Sequence, residues 1–189
     1  QLQMLAEPDL VPVTSYVKEI HDLGSRVNLA QRAIWSFAHF VPKEIVRGLI
    51  DNSISTTLGG VKQDLTLVFT DVQGFTTIAE SADPDVLMHQ TSQYFSVLTE
   101  AFLAEGGTVD KFIGDAVMVF WNEPHPQPDH VARACRAVLA AKAAGERLNA
   151  RFEAEGLKPF VTRFGIHVGE AVVGNVGSTE RMNYTALGN

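Results

Sequence analysis

Leu65-Thr66-Leu67-Val68-Phe69-Thr70 is a short run rich in β-branched and aromatic residues, and it predicts a buried strand over 64–70. Val109–Phe112 and Ala116–Trp121 predict two more strands, joined by a tight turn at Ile113-Gly114-Asp115. Between the first strand and this hairpin the spacing predicts helices over about 75–81 and 84–104, with Asp83-Pro84 as cap and first turn. Pro124, Pro126 and Pro128 mark a loop, after which an alanine-rich helix runs from Asp129 to about Phe152. Phe160–Val168 and Glu170–Val176 predict a strand pair turning about Gly169, and Tyr184–Leu187 begins a last short element. Strand, helix, hairpin, helix, strand predicts an α+β sandwich of ferredoxin-like type, with its helices on one sheet face.

A different pattern precedes Leu58-Gly59-Gly60. Tyr16, Ile20, Leu23, Val27, Ala30, Ile34 and Phe37 follow a heptad spacing that suits a two-stranded parallel coiled coil, although Gly24 weakens it. A single amphipathic helix packed on the same chain is the alternative. Pro42 interrupts this helix and Lys43–Asn52 predicts a second, short one, while residues 1–13, with Pro8 and Pro12, read as the tail of a linker. The predicted division is therefore 1–58, linker and helical segment, and 59–189, the α+β domain. The chain starts at Gln1, which suggests a piece of a longer protein.

Composition narrows the classes. With 189 residues, 46% of them hydrophobic, the chain can bury one good core. A formal net charge of -7 argues against a nucleic-acid or anionic-membrane surface. The single cysteine, Cys135, is expected to be a buried, inert thiol inside a helix, compatible with a reducing cytoplasm. No apolar run reaches the length of a membrane span and no signal peptide is visible. A cytoplasmic location is the expectation, and a longer parent could be anchored through an upstream domain.

The chemistry concentrates at two strand edges. Asp71 closes the first predicted strand, and Asp115 sits in the turn of the hairpin. If those strands are neighbours, two carboxylates converge on one rim, where a divalent cation would relieve their repulsion. Oxygen-only ligands favour Mg²⁺, Mn²⁺ or Ca²⁺, and Mg²⁺ takes one or two carboxylates plus substrate phosphates. Gly74 allows close approach of backbone, and free N–H groups at the turn and helix start attract phosphate. Asp71 as a helix cap and Asp115 as a simple turn residue remain the alternative.

Four motifs in order carry a resemblance: Phe69-Thr70-Asp71-Val72-Gln73-Gly74-Phe75-Thr76, Lys111-Phe112-Ile113-Gly114-Asp115-Ala116, Arg163-Phe164-Gly165-Ile166-His167-Val168-Gly169, and Tyr184-Thr185-Ala186-Leu187-Gly188-Asn189. From about Phe40 onward the chain resembles the catalytic domain of class III nucleotide cyclases, the adenylyl and guanylyl cyclases. The resemblance implies that Asp71 and Asp115 bind two divalent metals (Mg²⁺ or Mn²⁺), with the carbonyl of Val72 as a further ligand. It implies that the backbone from Gln73 through Gly74, Phe75 and Thr76 holds the triphosphate and that Arg163 contacts the phosphates. Lys111 stands where the family reads adenine. Thr185 stands where many members have aspartate, and its hydroxyl can still bond adenine because it both donates and accepts. Lysine with threonine resembles a subgroup of bacterial cyclases and the bicarbonate-responsive soluble cyclase, whereas guanylyl cyclases usually carry glutamate and cysteine.

The implied function is conversion of ATP to 3′,5′-cyclic AMP and pyrophosphate by in-line attack of the ribose 3′-hydroxyl. The family builds each site between two chains, so a homodimer is implied, with an upstream sensory domain acting through the coiled coil. The family also places an asparagine and an arginine beyond Asn189, so the present stretch alone is expected to be weakly active or inactive. The rivals are a guanylate cyclase, a degenerate cyclase-homology domain used for dimerisation and signalling, a nucleotide- or RNA-binding sheet, and a diguanylate cyclase. The last would need a Gly-Gly-Asp/Glu-Glu-Phe turn where Ile113-Gly114-Asp115-Ala116 stands.

Overall fold

The computed structural model describes residues 17–38, 40–50, 54–55, 57–178 and 180–188. The linker expectation over 1–13, the first seam residue Tyr16 and the end of the second helix past Ile50 lie outside the described residues. The chain forms two compact units, Gln1–Ser55 and Thr56–Asn189.

The first unit holds two helices, α1 (Lys18–Phe37) and α2 (Lys43–Ile50). Ile20, Leu23, Val27 and Phe37 are exposed along α1, and no residue of that helix is buried. The α1 helix ends at Phe37, and the N–H of its C-cap, Ala38, bonds back to Ile34 O, ahead of Pro42.

The second unit runs β1 (Gly59–Val72), α3 (Phe75–Ser81), α4 (Pro84–Ala104), β2 (Thr108–Ile113), β3 (Ala116–Trp121), α5 (His130–Ala154), β4 (Thr162–Gly177) and β5 (Met182–Leu187). The strands form one antiparallel sheet in the order β2-β3-β1-β4-β5. Its first four strands have the ferredoxin-like arrangement. As predicted, α4 starts at a capped end: Asp83 Oδ1 accepts the N–H groups of Asp85 and Val86 at 3.0 and 3.2 Å, and Pro84 fills a position where no donor is needed.

Alternation along the strands makes two cores. Val68, Val72, Val117, Val119 and Trp121 face α4 and α5 and bury Tyr94, Leu98, Phe102, Ala134, Ala141 and Phe152. Leu65, Met118 and Phe120 point the other way and pack against Ala171, Val173 and Ala186. That second core draws in β5. In a flat sheet β2 and β5 would lie about 19 Å apart, four strand spacings. Lys111 of β2 is nonetheless 3.2 Å from Thr185 of β5, so the sheet curls over its helix-free face. Gly174, the register partner of Thr185, permits the crowding there, because a Cβ on it would fall 2.3 Å from Gly59 O.

Three expectations are corrected. There is no turn about Gly169. Instead Thr162–Gly177 is one strand, paired with β1 without interruption from Val72↔Thr162 to Gly59↔Asn175, and Gly169 simply faces Leu65. The predicted first strand is correspondingly too short, since β1 continues to Gly59 through the polar residues Lys62, Gln63 and Asp64. Cys135 is exposed rather than buried, because the packed face of α5 is carried by Ala134, Ala137, Ala141, Gly145 and Leu148, one position off its own direction.

Candidate active site

Asp71 lies near the end of β1, opposite Arg163 in the β1–β4 ladder. The two form an ion pair, with Arg163 Nε 2.8 Å from Asp71 Oδ2 and a second, shorter contact from Nη2. Asp115 occupies the β2–β3 turn beside Gly114, whose φ of 63° suits glycine. Its Oδ2 accepts the Val72 N–H at 2.7 Å. The rim is thereby assembled from three strands: Asp115 binds the backbone next to Asp71, and Asp71 binds Arg163.

Local chemistry holds this rim in place. Past the last β1–β3 register pair, Phe69↔Met118, the buried Thr70 hydroxyl accepts the Val117 N–H at 2.9 Å. The side chain takes over from the ladder as the strands part. After Val72 the chain turns through Gly74, at φ 69°, into α3. Gly74, not Asp71, is the residue before that helix, and it offers no side-chain cap. The first intrahelical bond runs from Ile78 N–H to Gly74 O, so the N–H groups of Phe75, Thr76 and Thr77 precede the helical ladder. The Gln73 N–H is committed to Val161 O at 2.9 Å, which removes it from the expected phosphate-facing backbone. Phe75 fixes the turn by packing edge-on against Phe160, ring centres 5.6 Å apart. Beneath it Tyr94 is buried, and burial raises its phenol above the usual value, with the Asp115 and Asp71 charges adding to that.

A second cluster forms where the sheet curls. Lys111 Nζ donates to Thr185 Oγ1 at 3.2 Å, and Thr185 in turn donates to the Asp110 carboxylate. Lys111 Nζ also lies 3.5 Å from Asp110 Oδ1. Burial raises the Asp110 carboxyl above its ordinary range, while the Thr185 hydroxyl and the Lys111 charge act in the opposite direction. Lys111 and Thr185 were legible as candidates, and Asp110 was not. The signal for it was a polar pair, Asp110-Lys111, inside an otherwise apolar strand, since regular alternation would send the two to opposite faces.

The four motifs thus converge as two clusters, one of carboxylates and arginine, the other of lysine, threonine and aspartate. Residues 60–189 match the family model of the adenylate and guanylate cyclase catalytic domain. The chain belongs to the class III nucleotide cyclase family. The chain is 42% identical to adenylate cyclase 1 of Rhizobium meliloti over 188 residues, a match that covers 100% of this chain and 28% of that protein. The chain therefore spans less than a third of this curated relative. Among solved structures, the adenylyl cyclase CyaB from P. aeruginosa matches with a TM-score of 0.67 and 34% identity, over 69% of this chain and 68% of that one. The guanylyl cyclase Cya2 matches almost equally, with a TM-score of 0.66 and 32% identity over 69% of this chain and 66% of the other. Fold alone consequently does not separate an adenylyl from a guanylyl cyclase.

The donor set of the cyclase rim suits a hard divalent cation. The bonds described above use only Oδ2 of Asp71 and of Asp115. Among the described residues no group of three or more His, Cys, Asp or Glu converges, so a cation here would draw its remaining ligands from backbone, phosphate and water. The Arg163 guanidinium already sets one positive charge against Asp71. No helix among the described residues is long and apolar enough to cross a membrane.

Proposed function

We propose that the protein is an adenylate cyclase that converts ATP to 3′,5′-cyclic AMP and pyrophosphate. The single observation that carries the choice of ATP is the Lys111–Thr185 pair, brought to 3.2 Å by the curl of the sheet. Lysine donates, and threonine can accept, which complements the N1 and amino group of adenine. The identity to a rhizobial adenylate cyclase supports the same reading.

In this reading Asp71, Asp115 and the Val72 carbonyl would hold two divalent cations, Mg²⁺ or Mn²⁺. Bound cations lower the pKa of a ribose 3′-hydroxyl and neutralise charge on the phosphates. The N–H groups of Gly74, Phe75 and Thr76 orient the triphosphate at the beginning of α3. Arg163, released from Asp71, pairs with phosphate oxygens. The 3′-oxygen attacks the α-phosphorus in line, the bond to the bridging oxygen breaks, and pyrophosphate leaves. Catalysis of this kind is mostly positioning and charge stabilisation, so no protein nucleophile is required.

The active species in this reading is a homodimer in which the carboxylate cluster of one protomer meets the Lys111–Thr185 cluster of the other. Exposed apolar side chains beside the carboxylates, Phe69 and Ile113, support an interface there. The exposed stripe Ile20, Leu23, Val27 and Phe37 supports a coiled coil through which an upstream sensory domain would act.

The test is product analysis of the full-length protein supplied with Mn²⁺ and either ATP or GTP. Cyclic AMP from ATP, lost in Asp71→Ala, is expected. Cyclic GMP as the main product would overturn the substrate assignment, and no cyclic nucleotide from either would favour a signalling domain without catalysis.

A further inference from the structure

The register of β2 against β3 shifts between Val109 and Lys111, which makes Asp110 the extra residue of a β-bulge. Neighbouring side chains of a regular strand leave on opposite faces. Here the bulge lets both Asp110 and Lys111 reach one atom, Thr185 Oγ1. The Asp110 side chain is only 2% exposed. A buried carboxylate is costly unless it is paired and hydrogen-bonded, and this one is held by the Thr185 hydroxyl and the nearby Lys111 ammonium.

A hydroxyl has one proton and two acceptor positions, and an ionised carboxylate can only accept. The Thr185 proton therefore points at Asp110, Lys111 takes one acceptor position, and the remaining position can only accept from a ligand. We propose that Asp110 is a positioning residue that sets base specificity, by committing the Thr185 hydroxyl to act as an acceptor toward adenine. The inference rests on the reading of Lys111 and Thr185 as the purine site. Adenine offers an amino donor and then the N1 acceptor along its edge. Guanine, with its ring held by the same ribose and phosphates, offers the O6 acceptor and then the N1–H donor. An accepting Thr185 beside a donating Lys111 fits the first order and opposes the second. Threonine alone is ambivalent, and Asp110 removes the ambivalence.

The test compares kcat/KM for ATP and for GTP in the full-length protein and in Asp110→Asn, with and without Thr185→Ala. The asparagine amide can donate to Thr185, which frees the hydroxyl proton for a ligand. The ATP:GTP preference is expected to fall about tenfold in Asp110→Asn. On the Thr185→Ala background the same substitution should leave the preference unchanged, because the effect runs through that hydroxyl. Should Asp110→Asn fail to fold, Asp110→Ala is read by the same ratio, since it also frees the hydroxyl. Equal losses on both nucleotides, with the preference of the unsubstituted protein retained, would overturn the role of Asp110 and leave the ATP assignment standing. A preference for GTP in the unsubstituted protein would overturn the assignment and this inference together.

Discussion

Asp71 and Arg163 pair with side chains that are 51% and 65% exposed, so their contact contributes little to folding. Exposed ion pairs of this kind are worth about 0–1 kcal/mol. Asp71→Asn is accordingly expected to shift the unfolding free energy by less than about 1 kcal/mol while reducing cyclase turnover by about a hundredfold or more. Denaturant unfolding and a cyclic-nucleotide assay on the same preparation check both halves. Asp115 differs, because its carboxylate also satisfies the Val72 N–H. Its alanine variant should lose activity and about 1 kcal/mol of stability as well. These residues were legible as candidates because they stand at strand rims within the four motifs that carry the family resemblance; spacing alone left a cap and a turn residue as equal alternatives. Asp110 was hidden for a physical reason: its only local mark is the polar pair it makes with Lys111, while its burial depends on a bulge and on a strand at the far end of the sheet order.

Elements with a short-range cause were readable, and those with a long-range cause were not. The α4 helix starts where Asp83-Pro84 predicts, since a cap acts within three residues. The Gly169 turn was misread because a glycine within a strand pattern can equally mark a close approach as a reversal. Here continuous pairing with β1 decides for the strand. The β1–β3 ladder has a weak point at Thr70, whose hydroxyl stands in for a backbone partner of Val117. Thr70→Val keeps the volume but leaves that buried N–H unpaired, and a loss of about 1–3 kcal/mol is expected in equilibrium unfolding. Strand β5 is tied to the loop after β3 by the Tyr184 hydroxyl, which donates to Glu123 Oε1 at 2.7 Å. Burial, then the Glu123 hydrogen bond and charge, raise the Tyr184 phenol well above its ordinary value of 10.0. Because the folded value is the higher one, the stability from this group is complete below about pH 10 and is lost as the pH rises through the folded value. Tyr184→Phe should remove that part of the alkaline fall in stability, as followed by circular dichroism against pH.

At the scale of the molecule, the ferredoxin-like order and the helix-covered core follow from periodicity alone, while the curl that joins β2 to β5 does not. That curl arises from the second core around Phe120, Leu65 and Val173, residues that alternation identifies as buried without saying against what. Its consequence is that Asp110, Lys111 and Thr185 gather as a second cluster, separate from Asp71, Asp115 and Arg163. A dimer with shared sites turns this separation into a sharp expectation. A protein carrying Asp115→Ala lacks every carboxylate half-site, and one carrying Lys111→Ala lacks every purine half-site, yet a mixed dimer retains one complete site. The most direct measurement is cyclic AMP synthesis by the two full-length variants, each alone and then mixed under conditions that allow subunit exchange. Each variant alone should be nearly inactive and the mixture should recover activity well above the sum of the two. A mixture no more active than its separate components, with subunit exchange verified, would contradict the shared site.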